Sequence, residues 1–242
     1  MAQQKRLQPL PESWNKALAI AAHPDDMEYG AASAVARWTS QGKVVAYLLL
    51  TRGEAGIDSM PPDQVAPLRE REEVESAAVV GVHTVDFLDH RDGVLEYGLP
   101  LRRDIARAIR KHRPDVIISG SHHLTYGGVR LNMADHRWAG LAVLDAARDA
   151  GNRWIFPELL DEGHQPWDGV KMVFVTGSPS PTHAVDVTAF MDKGVESLRK
   201  HAVYLKNLSQ QVDPDEMLRW NASVSGEALG VDYAVAFEVL QI

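Results

Sequence analysis

The order of apolar runs along this 242-residue chain restricts its fold more than any single residue does. Ala17–Ala22, Val44–Thr51, Val85–Leu88, Asp115–Ser119, Lys171–Thr176 and Ala184–Val187 are short stretches rich in Ala, Val, Ile and Leu, and read as strands. Helical periodicity lies between and after them: Glu28–Gln41, Leu68–Val80, Leu99–His112, Asp135–Ala150 and Ala189–Asn207. Gly81, Pro114 and Gly151 mark the helix ends. Strands alternating with helices in this way build βαβ units, so the expected class is α/β, with a mostly parallel sheet covered by helices on both faces. No repeat, low-complexity tract or Gly/Ser-rich linker interrupts residues 1–242, which are read as a single domain. The tail after Asn207 receives no element.

Three segments carry further expectations. Pro61, Pro62 and Pro67 mark Ile57–Pro67 as a loop that cannot be one helix. The charged run Arg69–Glu73 reads as a solvated helix face whose ion pairs have little net worth. The aromatic, proline-containing stretch 152–170 reads as a packed loop or lid. Trp154, Phe156 and Trp167 there suit either a pocket wall or the core.

Composition removes several functions. With no cysteine there is no thiolate metal site, cysteine nucleophile or disulfide framework. The balance of 25 Lys+Arg against 33 Asp+Glu, a net −8, argues against a basic face for nucleic acid. The longest apolar runs are strand-sized, and no apolar stretch follows the basic residues near the start. The expectation is a cytoplasmic protein that binds neither membrane nor nucleic acid.

In open parallel sheets ligands sit beyond the carboxyl ends of the strands, which directs attention to His23–Asp26, Thr51–Gly56, Asp89–Gly93 and Gly120–His136. The strongest signal is His23-Pro24-Asp25-Asp26, directly after the first strand. His23 and Asp26, three residues apart where a loop enters a helix, can turn a nitrogen and an oxygen onto one point, which is a partial ligand set for zinc. Asp25 would then lie beside the metal without binding it, suited to take a proton from metal-bound water. Helix capping by Asp25 or Asp26 is the plain structural alternative. A third donor is needed, and His136 in Ala134-Asp135-His136-Arg137 lies at the correct end of the sheet. Asp135 is available to orient an imidazole.

Together, HPDD at 23–26, TRGEAG at 51–56, LREREE at 68–73, FLDHRDG at 87–93 and ADHR at 134–137 resemble the PIG-L/LmbE-like family of metal-dependent de-N-acetylases. The resemblance implies a Rossmann-like three-layer domain. It also implies His23, Asp26 and His136 as ligands of Zn2+, with Fe2+ as the alternative, Asp25 as general base, and Arg52 as a substrate contact. The implied reaction is hydrolysis of an amide C–N bond in a small molecule, above all de-N-acetylation of an N-acetyl-amino-sugar conjugate. A thiol-conjugate amidase or a non-catalytic metal- or sugar-binding relative are the alternatives, and a homo-oligomer is compatible with the family. The chain departs from the family at Met133, where many relatives have a histidine; His122, His123, Tyr126, His183 and His201 are the available substitutes.

Overall fold

The structure, a computed structural model, describes residues 6–126, 128–208 and 213–242. Ten strands are present among them: β1 (Gln8–Pro9), β2 (Lys16–Ala21), β3 (Val44–Leu49), β4 (Val85–Phe87), β5 (Val116–Ser119), β6 (Thr125–Tyr126), β7 (Arg130–Leu131), β8 (Met172–Thr176), β9 (His183–Asp186) and β10 (Ala234–Gln241). Eight of them form one sheet in the order β1-β9-β10-β8-β5-β2-β3-β4, while β6 and β7 pair as a small hairpin. Neighbours from β8 through β4 are parallel, and β10 runs antiparallel to both β8 and β9. The sheet is thus mostly parallel, as the βαβ pattern requires. The antiparallel β10 lies in the tail to which the sequence assigned no element.

The nine α-helices are α1 (Asp26–Gly30), α2 (Ala32–Ser40), α3 (Pro62–Val79), α4 (Leu99–His112), α5 (Ala134–Asp149), α6 (Glu158–Asp161), α7 (Met191–Arg199), α8 (Ala202–Asn207) and α9 (Pro214–Leu229) among the described residues. Alternation along the strands builds two cores. Ala17, Ala19, Ala21, Val45, Tyr47 and Leu49 face a core with residues of α2, α3, α7 and α9. Leu18, Ile20, Ala46 and Leu48 face a second core, filled by Leu101, Ile105 and Ile109 of α4 and Ala142, Val143 and Ala146 of α5. Period-2 strands with apolar residues at every position must be covered on both faces, which is the three-layer arrangement.

Several segments differ from expectation. The Glu28–Gln41 helix is broken at Ala31 (φ −147°) into α1 and α2. The Ala189–Asn207 helix is interrupted at Lys200 and His201, where the His201 side chain turns into the interior with no exposure. Helix α3 begins at Pro62, so Pro62–Pro67 is helical: Pro62 occupies the first turn, which lacks amide partners, and Pro67 is tolerated inside. The 69–73 run is not a solvated face, because Arg69, Glu72 and Glu73 are buried with Ser76 and Ala77 on the side of α3 that meets the core. Helical spacing groups these residues inward. Trp154 is solvent-exposed, and Phe156 and Trp167 pack against the second core.

Candidate metal centre

Strand β2 lies at the point where the chain order reverses, with β3 on one side and β5 on the other. His23 follows β2 by two residues, and the segment after β5 leads to α5, which opens on Ala134, Asp135 and His136. The topology therefore carries two sequence-distant motifs to one crevice. His23 Nδ1 lies 3.2 Å from His136 Nε2. Asp26 Oδ1 is 3.0 Å from His136 Nε2, and Asp26 Oδ2 is 3.7 Å from His23 Nδ1. The three donors predicted from the sequence converge on one point.

The opposite edges of the two rings determine what that point can hold. His23 Nε2 is 3.0 Å from Asp92 Oδ1 and 3.2 Å from Asp135 Oδ2. Carboxylates only accept, so Nε2 carries a proton and Nδ1 is the nitrogen left to face a metal. His136 Nδ1 is 3.1 Å from Asn132 Oδ1 and 2.5 Å from the Tyr126 hydroxyl. An amide oxygen likewise demands a proton on Nδ1, leaving Nε2 as the nitrogen turned toward Asp26 and His23. These two nitrogens and the Asp26 carboxylate face one point, and the set fits a divalent metal with nitrogen and oxygen ligands.

The charges point the same way. Burial disfavours a charged His23, but Asp135, Asp26 and Asp92 outweigh it and raise its pKa well above the ordinary value. Burial likewise opposes the Asp26 anion, yet His136 and His23 hold its carboxyl well below the usual range. The site draws positive charge.

Asp25 takes a left-handed backbone conformation, φ 97°, and makes no side-chain cap to α1, so helix capping does not account for it. Such a conformation costs a non-glycine residue about 1–3 kcal/mol and persists only where its surroundings impose it. Here α3 imposes it: Glu73 Oε2 accepts from the Asp25 amide at 3.1 Å, and Arg69 Nη2 lies 3.2 Å from Asp25 Oδ1. Arg69 also donates to the carbonyls of Pro24 and Gly53, and its guanidinium lies over the Tyr204 ring. A Cβ at Gly56 would come within 2.6 Å of Arg69 Nη1, which gives the TRGEAG glycines a steric reason. Burial pushes the Asp25 carboxyl up, against the pull of Arg69. His136 feels the charge of Asp25, as do His23 and Asp26.

Other expected residues fall elsewhere. Arg52 is bound by Glu70 and by Asp89, whose Oδ1 lies 2.6 Å from Nη2, and it does not line the cavity beside the metal group. His123 is held by Glu238 at 2.8 Å, and His201 is fully buried. Of the substitutes for Met133, Tyr126 lines the cavity. That cavity has a volume of about 640 Å³; Asp26, Tyr126 and His136 meet it, as do Gly177 and Ser178 after β8 and Trp220, Asn221 and Ser225 of α9. From the sequence, Asp92 and Asn132 receive no role, and Arg69 and Glu73 read only as the ends of a solvated run. The FLDHRDG motif and the strand-end rule pointed to the segment containing Asp92 but not to its contact with His23. Glu54 of TRGEAG accepts from the Asp92 amide at 2.9 Å, so two motifs brace each other behind the histidine.

Comparison with known proteins identifies the family and the fold. Residues 18–147 match the family model described as "PIG-L: GlcNAc-PI de-N-acetylase". The diacetylchitobiose deacetylase of Thermococcus kodakarensis is 31% identical over 188 residues, covering 77% of this chain and 68% of that protein. A probable N-acetyl-alpha-D-glucosaminyl L-malate deacetylase of Bacillus anthracis is 29% identical over 136 residues, 53% of this chain and 58% of that one. In structure, the inhibitor-bound N,N'-diacetylchitobiose deacetylase of Pyrococcus horikoshii superposes with a TM-score of 0.86 at 26% identity, covering 95% of this chain and 85% of that one. With a family match over more than half its length, and the family's motifs gathered at one crevice, the chain belongs to the PIG-L de-N-acetylase family.

Proposed function

We propose that this protein is a zinc-dependent N-deacetylase that removes the acetyl group from an N-acetylglucosamine-type sugar conjugate, with His23, Asp26 and His136 as metal ligands. The observation that carries the reading is the convergence of His23 Nδ1 and His136 Nε2, 3.2 Å apart and closed by Asp26, at the edge of a cavity of about 640 Å³. Membership of the family and the deacetylase relatives supply the reaction class. A cavity of this size suits a small sugar rather than a polymer chain.

When bound, the divalent cation supplies a Lewis acid for the amide carbonyl and lowers the pKa of water. The remaining work falls to the chain. Asp25, held by Arg69 and Glu73, takes a proton from the attacking water and delivers it to the departing nitrogen, since an amine leaves poorly unless protonated. Its raised pKa suits a group that must both accept and return a proton. Tyr126, whose phenol is pushed up by burial and by the nearby Asp26 and Asp25, stays protonated and donates toward the developing oxyanion. Arg52 is assigned to polar groups of the substrate.

The test is release of acetate and free amine from N-acetylglucosamine and N,N'-diacetylchitobiose by zinc-loaded protein, with and without a chelator. Chelator-sensitive release is expected. Stoichiometric metal with no turnover across a panel of N-acylated amino sugars would overturn the reading. Release of larger acyl groups but not acetate would replace it with a thiol-conjugate amidase.

A further inference from the structure

Behind Asp25 lies a second group of ligand-type side chains that the chemistry above does not use. Glu28 follows from α1, Glu73 from α3, and His201 from the break between α7 and α8. Glu73 and His201 have no exposed surface and Glu28 is 2% exposed. His201 Nε2 lies 3.6 Å from Glu28 Oε2 and 3.6 Å from Glu73 Oε2. Both spacings are too long for an N–H···O hydrogen bond, which closes at about 2.7–3.2 Å. They match instead two donors sharing an ion: ligands at about 2.1 Å from a tetrahedral centre stand about 3.4 Å apart. The His23–Asp26–His136 group shows the same 3.0–3.7 Å spread.

Several of the polar atoms around this gap have no partner. Glu28 Oε1 accepts from Ser76 Oγ at 2.8 Å, and Glu73 Oε2 accepts from the Asp25 amide. Glu28 Oε2, Glu73 Oε1, both ring nitrogens of His201 and the Tyr47 hydroxyl have no hydrogen-bond partner among the described residues. Tyr47, on β3, feels the charge of both glutamates, which places it beside them. Arg69 is committed to Asp25 and to backbone carbonyls. Burial disfavours a charged His201, but Glu28 and Asp25 outweigh it and raise its pKa, so without an ion the buried carboxylates are offset only by protons on His201 and Glu73. Burial, together with Glu28 and Asp25, pushes the Glu73 carboxyl well up, the mark of a place that draws positive charge.

We propose that Glu28, Glu73 and His201 bind a second divalent transition-metal cation of the zinc class, a structural ion distinct from the one held by His23, Asp26 and His136. The ion pins α1, α3 and the α7–α8 break to one another and thereby braces the loop that carries Asp25. Two anionic carboxylates and one neutral imidazole around a dication leave the group electrically neutral, which a buried water in the same gap would not. The inference does not depend on what the protein hydrolyses, since it is read from metal content alone.

The experiment loads the full chain with Zn2+, removes loosely held ions by exchange against a weak chelator, and counts zinc per chain by mass spectrometry of the elements. Wild type is expected to hold two equivalents, His136→Ala one, Glu73→Gln one, and the double variant none. Glu73→Gln is expected to lower Tm more than His136→Ala does. A wild type that saturates at one equivalent, or a Glu73→Gln protein that keeps two, would overturn the proposal. If Glu73→Gln does not fold, crystals of zinc-loaded wild type decide it at the zinc absorption edge. An anomalous peak between Glu28, Glu73 and His201 supports the second ion. A peak only at His23, Asp26 and His136 refutes it and assigns the gap to water or to protons.

Discussion

Asp135 orients not the histidine that follows it but His23, 112 positions away, with its Oδ2 3.2 Å from His23 Nε2. The same carboxylate accepts from the amides of Gly93 at 2.7 Å and Leu95 at 3.1 Å, so it is fixed by the loop after β4 and in turn fixes the tautomer of His23. Asp135→Asn should therefore weaken zinc binding by roughly 10–100-fold while leaving all three ligands in place, the range typical of partners that support a metal-bound histidine. Competition with a chromophoric chelator measures this. An unchanged affinity would show that Asp92 alone holds the ring.

Asp25 and His136 should separate cleanly as variants. His136→Ala removes a ligand and is expected to lose most of the metal occupancy of its site. Asp25→Asn is expected to keep that metal and to lose kcat by about 100–10,000-fold, the usual range for a lost acid–base group. Metal content and single-turnover kinetics on the same preparations check both. If Asp25→Asn loses the metal, its assignment as base rather than ligand is wrong.

The pH profile follows from the direction of the Asp25 shift. Burial raises its pKa, and the base must be deprotonated to accept a proton, so kcat/KM should fall as pH drops through a value above the ordinary carboxylate pKa of about 3.9. The sign for stability is opposite. A carboxyl whose folded pKa is raised contributes stability that is fully present below its unfolded pKa of about 3.9 and is lost as pH rises through its folded pKa. Asp25→Asn should accordingly gain stability relative to wild type as pH increases, in metal-free protein followed by urea unfolding.

Tyr126→Phe removes the hydroxyl that lies 2.5 Å from His136 Nδ1 and faces the cavity. With Asn132 still accepting from the same nitrogen, metal binding should persist, while kcat should fall about a hundredfold if the phenol stabilises the oxyanion. A loss confined to metal affinity would instead make Tyr126 a support of His136.

Arg52 is a test of how far the substrate extends. Its guanidinium is shared by Asp89 and Glu70, and 36% of its side chain is exposed. Arg52→Ala should raise KM more than it lowers kcat, as expected for loss of uniform binding. An unchanged KM for the best substrate would confine Arg52 to tying those two carboxylates together.

The local order of elements and the residues of the candidate metal group were legible in the chain because each depends largely on neighbours in sequence. Strands β2, β3 and β5 announce themselves by unbroken apolar runs, and those runs dictate cover on both faces. His23-Pro24-Asp25-Asp26 is readable because a strand end, a proline and three ionisable groups fall within four residues. Tertiary structure alone decided which groups meet. It placed Asp135 on His23 rather than His136, inserted the antiparallel β10 beside β8, and turned Arg69, Glu72 and Glu73 inward from a run that reads as solvated. It also broke the 189–207 helix so that His201 could enter the interior. The reason is physical: burying a charged group is unfavourable in isolation and becomes possible only when a distant segment supplies its counterpart, and no local pattern records where that segment will be.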